Sequence, residues 1–285
     1  MKHLSVLAFL LAGTAAHAQV GEVGLTFGKN SVADLDGDDA SGGFGEFSAS
    51  YAATLSNGMI LNFGVNYRFD DLSSSDDFNS GEDPERRYGV AASALWKTGN
   101  ATWVGGFLSY GDTRSQDEPG EDEYDVAMIG AEARHAFGED FLGYMQVGYG
   151  EKVREGNDAD EGFTKGYALR LGGAYFLNDR TALTFDAEFA GTPMYIDGDD
   201  VGRFYSLELG GETWLASAPV AITYGVGYSF VNSTDEGDSA EEFQIGIGAK
   251  YVFGASSSRD SWMGGRSIGA PKLPLRASAW TEYLD

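Results

Sequence analysis

The chain is all-β, and it reads as a 12-stranded antiparallel up-and-down β-barrel that crosses a membrane. Three observations predict this. From Gln19 onward, twelve segments alternate apolar and polar residues at period two. The connections between them alternate short and long. No run of 18 or more apolar residues follows the N-terminus, so no helix is available to span a bilayer. A sheet in hydrocarbon must pair every backbone amide, which requires it to close on itself.

The N-terminus has the order of a processing signal. Lys2 and His3 form a charged start, Leu4 to Leu11 an apolar core, and Ala16-His17-Ala18 a small-x-small site. Residues 1–18 are therefore expected to be a signal peptide, 19–254 the transmembrane barrel, and 255–285 a C-terminal periplasmic tail or a lumen plug.

The strands follow in order. Val20 to Asn30 sets Val23, Leu25 and Phe27 against Gly24, Thr26 and Gly28. Gly43 to Ser56 alternates Phe47, Ala49, Tyr51 and Ala53 with Glu46, Ser48 and Ser50, and Asn57-Gly58 supplies a tight turn. Met59 to Phe69, Arg87 to Trp96 and Ala101 to Tyr110 are the third to fifth, with Lys97 to Asn100 turning the fourth into the fifth. The sixth, Tyr124 to Phe137, changes parity, and a bulge near Met128 would reconcile its two halves. Phe141 to Lys152, Phe163 to Phe176, Thr181 to Phe189, Phe204 to Leu215 and Val220 to Val231 continue the pattern. The twelfth is Ala240 to Gly254, and it must close the barrel against the first. Connections after even strands are about two to five residues, and those after odd strands about nine to eighteen.

These features resemble the outer-membrane β-barrels of Gram-negative bacteria, in particular the small porin-like proteins. The resemblance is one of architecture and covers Gln19 to Gly254. It implies residence in the cell outer membrane, contact with outer-membrane lipid, and use of the barrel-insertion machinery. Such barrels end in an alternating strand with a terminal aromatic, and Phe243 to Phe253 has that form. Here the chain continues beyond it to Asp285.

Composition excludes some functions. The formal net charge is −25, or −26 once Lys2 is removed, so nucleic acid is not a partner. There is no cysteine, which removes disulfides and thiolate metal sites. His135 is the one histidine of the processed chain, and its parity points it outward. No serine stands beside it on the neighbouring strand, so the chain is not expected to be an enzyme, and no cofactor is expected. Asp34-x-Asp36-Gly37-Asp38 looks like the start of a calcium loop. Gly45 falls where the bidentate glutamate belongs, so Asp34, Asp36 and Asp38 are only weak metal candidates. The other long loops are acidic too, beginning with Asp70, Asp71, Asp76 and Asp77 in the second.

Function is expected on the lumen face. Inward parity selects Glu46, Arg68, Arg87, Glu132, Arg134, Lys152, Arg170, Asp186, Glu188, Glu208, Glu212 and Lys250 as pore-lining. Counting from the turns places Arg170 near Asp186 or Glu188, and Glu132 near Gln146. Mixed charge facing a water-filled lumen sets ion selectivity. The expectation is passive diffusion of ions or small polar solutes with cation preference. The alternative is a non-conducting structural or adhesion-type barrel whose acidic surface loops carry the activity.

Overall fold

The computed structural model describes residues 19–34, 39–74, 85–114, 123–154, 162–163, 165–195, 201–232 and 239–272. The proposed signal peptide lies outside these residues. Twelve long strands form one closed antiparallel barrel: β1 (Gln19–Asp34), β2 (Asp39–Thr54), β3 (Ile60–Ser74), β4 (Glu85–Lys97), β5 (Thr102–Arg114), β6 (Glu123–Phe137), β7 (Phe141–Arg154), β8 (Lys165–Phe176), β9 (Thr181–Tyr195), β10 (Val201–Trp214), β11 (Val220–Asn232) and β12 (Ser239–Phe253). A two-residue piece, Gly162–Phe163, pairs with Met194 and Tyr195 of β9. One short helix, α1 (Ser258–Met263), follows the last strand. β1 pairs with β12 from Gly21↔Phe253 to Asp34↔Ala240, which closes the sheet and removes both edges.

Burial is inverted relative to a soluble protein. Ile129 and Ile247 are each 62 % exposed, while Glu132 and Gln146 are 2 % and 0 % exposed. Large apolar side chains on the outside and charge within fit a barrel whose outer solvent is hydrocarbon. Aromatic rings mark both rims of that band. Phe137, Phe141 and Phe185 stack beside the short turn after β6, with centroids 5.4 and 6.2 Å apart. Tyr167, Phe189, Tyr205 and Phe230 form the matching series toward the long connections, at 6.2, 5.2 and 6.4 Å. Such girdles sit at the two lipid–water interfaces.

The alternating short turns are present, and Gly58 (φ +80°) and Gly138 (φ +73°) take the left-handed backbone that these turns need. The opposite ends differ from expectation. The strands run on as paired ladders, so the connections after β1, β3 and β5 shrink to 35–38, 75–84 and 115–122. Asp70, assigned above to an acidic loop, is instead on β3, inward and 1 % exposed. The backbone keeps pairing because Asp70 has cationic partners inside the barrel. Asp34 ends β1, and Asp36 and Asp38 lie outside the described residues, as do most acids of the other expected loops. The expected bulge also moves. The register of β6 shifts between Asp125 and Val126, not near Met128. From Val126 to Phe137 the ladder is unbroken, so Val126 and Met128, each 4 % exposed, share the inward parity of Glu132 and Arg134, and Ile129 faces lipid. The parity change is resolved by placing two apolar side chains inside.

Candidate functional site

The lumen has two unlike walls. On β6 to β9, four inward positions stand side by side in register: Glu132 opposite Gln146, Gln146 opposite Arg170, Arg170 opposite Glu188. Arg134 Nε donates to Glu132 Oε1 (2.6 Å), and Gln146 Nε2 to Glu132 Oε2 (2.8 Å). Arg170 Nε donates to Asp186 Oδ1 and Oδ2 (2.9 and 2.8 Å) and lies 3.2 Å from Glu188 Oε1. Tyr144 donates its hydroxyl to Asp186. Around the barrel, Lys250 on β12 pairs with Glu212 and lies 3.3 Å from Glu22 Oε2. Charges buried this deeply are tolerated only when paired, and each of these has an ion-pair or hydrogen-bond partner, although Glu22 Oε2 makes no hydrogen bond among the described residues.

A second cluster sits nearer the long connections. Arg68 binds Asp70 through Nε (2.9 Å to both oxygens) and Nη2 (2.6 Å) and donates through Nη1 to Gln244 Oε1 (3.0 Å). Asn30 Nδ2 also donates to Asp70 Oδ1 (3.0 Å). The Arg68 guanidinium covers the Phe44 ring at 4.1 Å. Arg87, directly opposite Arg68 on β4, lies 3.9 Å from Asp70 Oδ2. Asp70 thus lies between two facing cations, and Glu242 Oε1 lies 3.6 Å from Arg68 Nη2 as a second buried carboxylate.

The wall formed by β2 to β5 is different. Its inward residues at mid-height are Ser48, Ser50, Gly64, Asn66, Ala91 and Ser109, and they border a cavity of about 450 Å³. Glu46 also borders it, half-buried, and makes no hydrogen bond or ion pair among the described residues.

The segment after β12 occupies the lumen beside the charged wall. Gly254 (φ +78°) turns it inward, and a Cβ there would lie 1.6 Å from the Gln19 carbonyl oxygen, so both the angle and the space demand glycine. Ser257 caps α1 by accepting from Asp260 N (3.0 Å). Trp262 inserts among Leu142, Tyr144, Ala174, Phe176 and Ala182. Beyond the helix, Arg134 donates to the Arg266 carbonyl (2.6 Å) and Gln146 to that of Gly269 (2.8 Å). Arg170 donates to those of Ile268 (2.9 Å) and Ala270 (3.2 Å). Arg266 Nη1 reaches Glu212 Oε2 (2.7 Å), and Lys272 Nζ reaches Glu208 Oε2 (3.0 Å). Burial acts to lower the Arg266 pKa, but Glu212 and Glu22 outweigh it and raise the pKa, so the guanidinium stays charged.

The twelve residues selected by parity are therefore placed as follows. Glu132, Arg134, Arg170, Asp186 and Glu188 share the charged wall; Glu212 and Lys250 form a pair at its edge; Arg68 and Arg87 flank Asp70. Glu208 holds Lys272, Glu46 faces the cavity, and Lys152 stands opposite Val126 on β7. Sequence reasoning missed Glu22, Asp70, Tyr144, Arg266 and Lys272. Asp70 shares the parity of Arg68, Tyr144 that of Gln146 and Glu22 that of Gly24 on the polar face of the first strand, and that was the available signal. Arg266 and Lys272 lie in a segment without periodicity. His135 is on the outer face, with Nδ1 2.7 Å from Thr102 Oγ1 and its ring edge-on to Phe137 at 4.5 Å. Among the described residues no group of three or more His, Cys, Asp and Glu is arranged to hold a metal ion.

No family model matches the sequence, and no curated protein matches it either. Solved structures do. An outer membrane channel from Pseudomonas putida F1 aligns with a TM-score of 0.62 at 14 % identity, over 85 % of this chain and 97 % of that one. The CymD monoaromatic hydrocarbon channel aligns at 0.48 and 9 % identity, over 84 % and 90 %. The translocator domain of the autotransporter NalP from Neisseria meningitidis aligns at 0.45 and 12 %, over 87 % and 93 %. At such identities the likeness is one of fold. Closed sheet, apolar exterior, paired girdles and the fold shared with the Pseudomonas putida channel make the chain an outer-membrane β-barrel with a C-terminal segment held inside it.

Proposed function

We propose that the barrel is a passive diffusion channel for small cations and small polar solutes, with the solute moving along the β2–β5 wall. The observation that carries this reading is the cavity of about 450 Å³ beside that wall. On that side it is bordered by hydroxyl, amide and glycine positions, which exchange hydrogen bonds with a hydrated solute without trapping it; Tyr144, Arg170, Asp186 and Glu208 and the tail residues Trp262 and Lys272 also border it. Glu46 is the reason for the cation preference. A carboxylate with no partner among the described residues presents its charge to the path, whereas paired charges largely cancel. The Pseudomonas putida protein of the same fold is an outer membrane channel, in keeping with this reading.

Planar-bilayer recording in a salt gradient tests the proposal, using both the full chain and a chain ending at Gly254. The expected result is a cation-directed reversal potential that moves toward zero in Glu46→Gln. Absence of conductance in both chains, or anion preference, would overturn it.

A further inference from the structure

We infer that residues 255–272 are a tethered plug that closes the short-turn end of the lumen and limits conduction. The inference rests on the channel reading above and adds a gate to it. The described segment spans the mouth from wall to wall. On one side Trp262 sits against Phe176 and Ala182 of β8 and β9, and Arg259 bridges the turns that follow β6 and β8, 3.2 Å from both Asp140 Oδ1 and Asp179 Oδ1. On the other side Gly265 (φ +89°) packs so closely on β3 that a Cβ would lie 2.6 Å from Ile60 Cδ1. Gly264 approaches β1, where a Cβ would lie 3.3 Å from Val20 Cγ2. Ile60, Leu95 and Ala52 complete an apolar floor at this level.

The segment is held by two kinds of bond. The backbone carbonyls of Arg266, Ile268, Gly269 and Ala270 accept from Arg134, Gln146 and Arg170. Arg266 and Lys272 supply positive charge to Glu212 and Glu208, and the Lys272 amide donates to Glu188 Oε2 (2.9 Å). Glu188, Glu208 and Glu212 each have a barrel partner, in Arg170, Gln244 and Lys250 respectively, and the tail adds Arg266 and Lys272 to this set. Departure of the tail would remove those two cations from the lumen and leave the carboxylates with less compensating charge. An unplugged barrel is therefore both wider and more cation-selective than the intact one.

Conductance of the full chain and of the chain ending at Gly254 is compared in planar bilayers. The expected result is a several-fold rise on truncation together with a larger cation-to-anion permeability ratio. Equal conductance would overturn the plug while leaving the channel reading standing; silence of both chains would overturn the channel instead. The double variant G64C/S267C tests the same gate with the tail present. A Cβ at Gly64 lies 3.6 Å from Ser267 Oγ, within reach of a disulfide, and the native chain has no competing cysteine. Oxidation is expected to consume both thiols and abolish the residual current, and reductant to restore it. Failure to cross-link places the tail elsewhere and overturns the inference, as does cross-linking that leaves the current unchanged.

Discussion

The two walls of this lumen are built from the same ladder geometry and differ almost entirely in what their inward side chains do. On β6 to β9 every large inward polar group is spent on a neighbour or on the tail: Glu132 on Arg134 and Gln146, Arg170 on Asp186, Glu188 and two tail carbonyls. On β2 to β5 the inward residues at the same height are short, and the carboxylate of Glu46 has no partner among the described residues. The charged wall is a scaffold that fixes the tail. The small-residue wall is the free surface, and under the proposed channel function selectivity would belong to it.

Substitutions separate these roles, and their effects should fall in a definite order. Arg170→Leu is expected to be the most damaging. It strands Asp186 and Glu188 in a buried site and releases the tail carbonyls, for a loss of about 3–5 kcal/mol in urea unfolding followed by heat-modifiable gel migration. Stability close to wild type would show that the charged wall is not a scaffold. Ser109→Phe acts on the other wall. It should leave stability within about 1 kcal/mol, since the side chain enters open space, yet cut the current of the chain ending at Gly254 by half or more. An unchanged current would move the path elsewhere. Glu46→Gln should alter neither folding nor current amplitude greatly and should reduce only the reversal potential. Lys272→Gln should be the mildest. The Lys272 and Glu208 side chains are 43 % and 28 % exposed, so this pair is worth about 0–1 kcal/mol. A larger loss would mean that the tail hangs on this single contact.

Much of this organisation was legible in the residues. Period two separated lipid from lumen, and counting from Asn178-Asp179 brought Arg170 to Asp186 and Glu188, because a closed antiparallel ladder leaves little freedom of register. Legibility failed where polarity and exposure part company. Asp70-Asp71 looks like the start of a loop, yet Arg68 and Asn30 make burial of Asp70 favourable and keep β3 in the sheet. Val126 and Met128 look lipid-facing because they are apolar, yet the unbroken register from Val126 to Phe137 gives them the inward parity of Glu132 and Arg134. The tail carries no repeat at all. Its position depends on one backbone angle at Gly254 and on complementarity with carboxylates scattered over β1, β9 and β10, information that no local pattern contains.

The most direct measurement of the two-wall account is the block of current by a membrane-impermeant cationic thiol reagent at single introduced cysteines, against a native background with none. Ser109→Cys on the small-residue wall and Gln146→Cys on the charged wall are compared in the chain that retains its tail. The account predicts rapid modification and block at position 109, and protection at position 146, which is 0 % exposed beneath the tail. Equal modification of the two, or protection of position 109, would contradict it.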